Sequence, residues 1–185
     1  MTGWIVTAVV VAIGIYAIAI YNQLVKKRQM VEEGWSGIDV QLKRRTDLIP
    51  NLLEAVKGYM AHERGLMERI TELRARSQAA GSAGAGERGR IEGELSSALM
   101  QLFAVAENYP DLKASANFID FQNAMQELED QIQLARRYYN GAVRVLNIAV
   151  ESFPSNLVAG AFGFVKAEYF ELDSEAERAV PQVTF

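Results

Sequence analysis

The 185-residue chain has no cysteine and one histidine, His62. The first absence excludes disulfides, lipoprotein acylation and thiolate metal sites. The second leaves a zinc centre short of ligands, since such sites draw repeatedly on Cys and His. A di-iron bundle needs paired Glu-x-x-His motifs, and the residue three before His62 is Tyr59. His62 therefore reads as a solvated helical side chain. The phosphate-loop pattern G-K-[ST] is missing too, so the glycines near residue 85 do not form a nucleotide cradle. Nor is there an excess of positive charge. Nineteen Lys and Arg stand against 23 Asp and Glu, a net charge of -4 that argues against a nucleic-acid partner.

Charge itself is absent from the start of the chain. The first charged side chain is Lys26, and "WIVTAVVVAIGIYAIAIY" fills Trp4 to Tyr21. Extended to Val25, the run reaches the ~20 residues that cross hydrocarbon as a helix. A helix satisfies its own backbone groups, which lipid cannot do. Trp4, Tyr16 and Tyr21 supply rings suited to the headgroup level. A cleaved signal peptide would carry a basic leading region and a shorter apolar core. Here no Lys or Arg leads, and the A-x-A pattern of Ala17 and Ala19 lies inside the run. Residues 1–25 are thus expected to be an uncleaved transmembrane anchor. Lys26, Lys27 and Arg28 follow it, so the positive-inside rule puts the bulk domain in the cytoplasm of a bacterium, on a single-pass inner-membrane protein.

Beyond the anchor, apolar residues recur at alternating spacings of four and three. Val31, Trp35, Ile38, Leu42, Arg45, Ile49, Leu52, Val56, Tyr59, Glu63, Leu66, Ile70 and Leu73 form one such seam. The pattern predicts one long, coiled-coil-like helix. Pro50 lies inside it and, lacking an N–H, is expected to kink it without shifting the seam. "QAAGSAGAGERGR" reads as a flexible loop. A second helix carries Ile91, Leu95, Ala98, Leu102, Val105 and Tyr109, with Pro110 closing it. A third runs from Phe121 through Met125, Leu128, Ile132, Tyr139 and Leu146 towards Phe153, with Pro154 as its stop. "SNLVAGAFGFVKAEYFE" reads as a short apolar helix capped by Ser155. The fold class is all-α: an N-terminal transmembrane helix, then an antiparallel bundle of long helices over 26–172. Residues 173–185 read as an acidic C-terminal tail.

No nucleophile with a base stands out among these helices, and the carboxylates suit solvated helix faces and pairing between helices. Neither an enzyme activity nor a cofactor is expected. Trp35 sits on the first seam as a core knob. Asp39 and Arg45 lie on or beside that seam. Asn140, Arg144 and Asn147, with Arg137, line the side of the third helix. Buried charges need partners, and such pairs fix helix register while adding little stability. Gly160 permits close approach by another helix. Phe162 and Phe164 exceed what a short helix must bury, so they either close the core or meet another subunit.

Two blocks of the chain carry a resemblance. "YNQLVKKRQMVEEGWSGIDVQLKRRTDLIPNLLEAVKGYMAHE" and "ARRYYNGAVRVLNIAVESFPSNLVAGAFGFVKAEYFE" resemble the two signature blocks of the LemA family of bacterial membrane proteins. Trp35, Asp39, Arg45, Pro50 and Asn51 match the first; Tyr139, Asn140, Asn147, Pro154, Phe162, Gly163 and Phe164 match the second. Gly34 departs from a usual alanine, and Leu146 from a frequent tyrosine. The resemblance implies an anchored helical bundle with no assigned chemistry. It also implies, through the family's association with magnetosome membranes and neighbouring metalloproteases, two roles. One is a self-assembling scaffold that organises the bilayer; the other is an adaptor for a membrane protease. A ligand-binding bundle stands third.

Overall fold

The computed structural model describes residues 2–171. It is all-α: α1 (Thr2–Lys57), α2 (Arg64–Ala79), α3 (Ala85–Ala106), α4 (Pro110–Lys113), α5 (Ala116–Glu151) and α6 (Ser155–Phe162), with a 3-10 turn at Ala80–Ser82. The expected tail at 173–185 lies outside the described residues. Two compact units form. One joins residues 1–37 to 135–169; the other joins 38–134 to Phe170 and Glu171.

In the first unit, the start of α1 pairs with the second half of α5. A Cβ on Gly34 would stand 3.0 Å from the Cα of Tyr139, so the two backbones nearly touch there. A turn or more away, Ile20 and Leu24 cluster with Ala159 and Phe164, and Ala149 and Val150 pack on them. Residue numbers rise on one helix as they fall on the other, so the pair is antiparallel. Gly34 is therefore a contact residue, and its lower helix propensity is set against close packing. Trp35 is half-buried, its ring 5.6 Å from that of Tyr139.

The end of α5 differs from expectation. The Phe153–Pro154 peptide is cis, and α6 leaves at 96° to α5. Pro154, not Ser155, occupies the N-cap position, and the Ser155 hydroxyl donates to the Ser152 carbonyl. Nor does the helix run on through "FVKAEYFE". Gly163 takes φ 72°, and the N–H groups of Gly163 and Phe164 both turn back to the carbonyl of Ala159. A left-handed glycine in this position is a common helix stop, because no Cβ opposes it. The chain then runs without helix, held by α5. Asn147 bonds Ala167 twice, donating to its carbonyl at 3.0 Å and accepting from its N–H at 2.9 Å. Tyr139 donates to the carbonyl of Glu168 at 2.9 Å.

In the second unit, α2, α3, α4 and the adjoining stretches of α1 and α5 enclose one core. Ile49, Leu52, Val56, Ile70, Leu73, Leu95, Leu102 and Met125 are all within it. The first seam holds to Val56, but the predicted rod does not. α1 ends at Lys57, where Gly58 offers little helix propensity, and the N–H groups of Tyr59 and Met60 fold back to the Val56 carbonyl. Met60 rather than Tyr59 enters the core, and His62 lies exposed in this turn rather than on a helix. α1 does run through Pro50. The glycine-rich "loop" is mostly helix, since α3 begins at Ala85. Pro110 opens α4 rather than closing α3; at a first helical position its missing N–H costs nothing.

Candidate functional site

Arg45 occupies a seam position of α1 and is 1% exposed. A guanidinium in that place must find anions, since an unpaired buried charge is strongly unfavourable. α3 and α5 supply them. Arg45 Nη2 meets Glu92 Oε2 at 2.5 Å, and Nη1 meets Glu129 Oε1 at 2.5 Å. Nη1 also donates to Ser96 Oγ at 2.6 Å. The other oxygen of Glu92 accepts from Ser77 Oγ of α2 at 2.6 Å and from Arg88 Nε, one turn earlier on α3, at 3.1 Å. Arg88 reaches on to Asp39 Oδ1 of α1 at 3.3 Å. Two cations thus face Glu92, Glu129 and the exposed Asp39, and residues from four helices share one network.

This cluster is built to hold helices in register. Both oxygens of Glu92 are occupied by donors, and Glu92 itself is fully buried. Among the described residues, no group of three or more His, Cys, Asp and Glu is placed to hold a metal ion. A cleft of about 900 Å³ opens beside Pro50, Leu53, Met60, Arg64, Met67 and Thr71. Its lining mixes apolar side chains with charges on the rim and presents no paired acid and base.

The residues singled out in the sequence fall into separate places. Arg45 and Asp39 belong to the network. Pro50 is exposed on α1. Asn147 holds the chain after Gly163, Asn140 is half-buried on α5, and Arg144 is exposed. Phe164 is buried, whereas Phe162 and Gly160 are exposed. Trp35 stays with Tyr139. Glu92, Arg88, Ser77, Ser96 and Glu129 were not anticipated. Glu92 follows the seam residue Ile91 directly, which is the one local sign that its side chain could turn inward.

The profile of the LemA family matches residues 34–185. The chain belongs to the LemA family. Among its relatives, "Magnetosome protein MamQ 2" of Paramagnetospirillum magneticum is 26% identical over 175 residues, covering 82% of this chain and 64% of the relative. "Magnetosome protein MamQ" of Magnetospirillum gryphiswaldense is 24% identical over 174 residues, covering 81% and 64%. "Protein LemA" of Metamycoplasma hominis is 26% identical over 159 residues, covering 85% and 71%. The chain thus spans 64% of the length of the magnetosome relatives. In this LemA-family chain α1 alone, among the described residues, is long and apolar enough to cross a membrane as a single helix, and 6% of that apolar stretch is buried. α5 and α6 pass the same measure only when taken together as a bent pair.

Proposed function

We propose that this protein is a membrane-anchored scaffold that assembles with copies of itself and organises the bilayer around it. The observation that carries this is the bare apolar start of α1. Trp4, Ile5, Val10, Ile13, Ile15 and Ile18 are all more than half exposed, with no other helix against them. A surface of that size is unfavourable in water and needs lipid or protein around it. The eighteen residues from Thr2 to Ala19 would rise roughly 27 Å as a helix, close to the thickness of a hydrocarbon core. Ile20 and Leu24 are already covered by α6 and Phe164, so the anchor drawn at residues 1–25 meets the bundle of 26–172 within its last turns.

The rest of the reading follows from the anchor. Lys26, Lys27 and Arg28 favour a cytoplasmic bundle at the inner membrane. The buried charge network gives that bundle a fixed arrangement rather than a reactive site. Relatives named as magnetosome proteins support a role at a membrane. Anchors confined to a plane raise one another's effective concentration, so modest contacts suffice for assembly.

Particle size, measured by light scattering of the full chain in mild detergent and in lipid discs, tests the assembly. A homogeneous homo-oligomer is expected. A monomer under all these conditions overturns self-assembly, and a monomer that co-purifies with a membrane protease moves the adaptor role ahead. External protease on spheroplasts should spare the bundle until the membrane is permeabilised; prompt digestion reverses the topology.

A further inference from the structure

From Ser152 to Val165 the chain reads "SFPSNLVAGAFGFV", fourteen residues without a charge between Glu151 and Lys166. Only part of this apolar stretch is used inside the fold. Ala159 and Phe164 are buried, but Phe153 is 79% exposed, Leu157 64%, Phe162 64% and Val165 76%. Three further observations say what covers them.

The first is position. The Phe162 ring lies 4.9 Å from that of Tyr21, and Phe164 lies 5.7 Å from it. Tyr21 comes at the end of the bare apolar stretch of α1, so the exposed surface of α6 is continuous with the anchor's. The second is direction. α5 runs antiparallel beside α1, and α6 leaves α5 at 96°. A helix set across α1 lies along a membrane that α1 crosses. The third is charge. Lys26 and Lys27 follow Tyr21 by about 8 Å of helix, and the Arg28 guanidinium sits 5.2 Å from the centre of the Phe164 ring. Cations thus flank the apolar surface on the side away from the anchor. Rings and aliphatic side chains at the acyl boundary, with cations at the phosphates beyond, form the arrangement of an interfacial helix.

We propose that α6, with Phe153 and Val165, is a second membrane contact. It lies in the interface of the leaflet where α1 emerges and inserts Phe153, Leu157 and Phe162 to the depth of the upper acyl chains. The contact fixes the rotation of the bundle about the anchor, which a single helix leaves free. It rests on the reading that α1 spans the bilayer.

The absence of cysteine makes a clean test possible. Leu157→Cys, Phe153→Cys, Val10→Cys and Arg137→Cys, each in the full chain, are labelled with an environment-sensitive fluorophore. The proteins are reconstituted in vesicles of phosphatidylcholine and phosphatidylglycerol. Quenching by nitroxides near the headgroup, by nitroxides deep in the acyl chains, and by aqueous iodide is then compared. Labels at 157 and 153 are expected to be quenched severalfold more by the shallow nitroxide than the label at 137, while the label at 10 answers to the deep one. If 157 and 153 behave like 137 while 10 is deep, α1 spans and the α6 contact is wrong. If 10 is not quenched from lipid, the spanning reading fails and the α6 contact with it. Labels at 157 and 153 shielded from both lipid and iodide would mean a second copy covers α6, which also overturns the proposal.

Discussion

Arg74 Nε donates to the carbonyl oxygen of Thr46 at 2.7 Å. In an uninterrupted helix that carbonyl would accept from the N–H of residue 50. Residue 50 is proline and has none. A side chain of α2 therefore takes the place of a backbone donor of α1, which lets α1 carry Pro50 and still run to Lys57.

This substitution of donors predicts a coupling. Arg74→Ala should cost about 1–3 kcal/mol, the penalty of a carbonyl left without a partner. In a Pro50→Ala background the new N–H can bond Thr46 itself, and Arg74→Ala should cost clearly less. Denaturant unfolding of the four proteins in the same detergent measures both steps. An equal cost in the two backgrounds would show that Arg74 does not serve the proline.

Arg45 predicts a larger effect. Arg45→Ala leaves Glu92 buried with one cation fewer, and losing one partner of such a pair typically costs about 3–5 kcal/mol. Arg45→Met with Glu92→Met removes both charges. The double change should lose less than the sum of the single ones, with a coupling of about 1–3 kcal/mol. Additive losses would mean that the two side chains meet without depending on each other.

Arg45 was legible in the sequence because it interrupts an apolar seam, and a charge in that register must be buried. Its partners were not. Glu92 and Glu129 belong to helices 47 and 84 positions away in the chain, and each looks like any carboxylate on a charged helix. The seams themselves were legible wherever packing, not chance, produced the spacing. Past Val56 the spacing went on by coincidence through Tyr59 and Glu63, while Gly58 let the chain turn. Asn147 stood out as a polar residue beside a seam. Its partner, the backbone of Ala167, did not, because "FVKAEYFE" has helical composition and only the left-handed Gly163 stops the helix.

Gly89 gives the sharpest contrast among the glycines. A Cβ there would stand 2.2 Å from the carbonyl oxygen of Glu171, whereas one on Gly160 would meet nothing within 4 Å. Gly89→Ala should therefore push the chain at Phe170 and Glu171 off α3, at a cost of about 1–3 kcal/mol. Trypsin should then cut sooner at the nearby Lys166. Gly160→Ala should leave stability unchanged or raise it by up to ~1 kcal/mol, as a better helix former in α6. Equal trypsin rates for wild type and Gly89→Ala would mean that the segment does not depend on that contact.

Tyr139 sets the alkaline limit of the first unit. Burial raises its phenol above the ordinary 10.0, and the charge of Glu168 adds to the rise. A raised phenol pKa means that the folded state holds the proton more tightly than the unfolded chain does. The stabilisation is complete below the unfolded value near 10 and is lost as pH rises through the folded value. Lys166, whose ammonium is held up first by its hydrogen bond to Glu151 and then by that residue's charge, loses its contribution in the same direction. Unfolding midpoints should thus be flat through neutral pH and fall above about pH 10. Tyr139→Phe should lower stability at neutral pH, because the carbonyl of Glu168 loses its donor, yet make the alkaline fall shallower. Trp35, 5.6 Å from the Tyr139 ring, offers a fluorescence signal at the site of the change. An alkaline fall as steep in Tyr139→Phe as in the parent would place its origin in other groups. The hydrogen bond to Glu168 would then act only as a tether for the chain beyond Gly163.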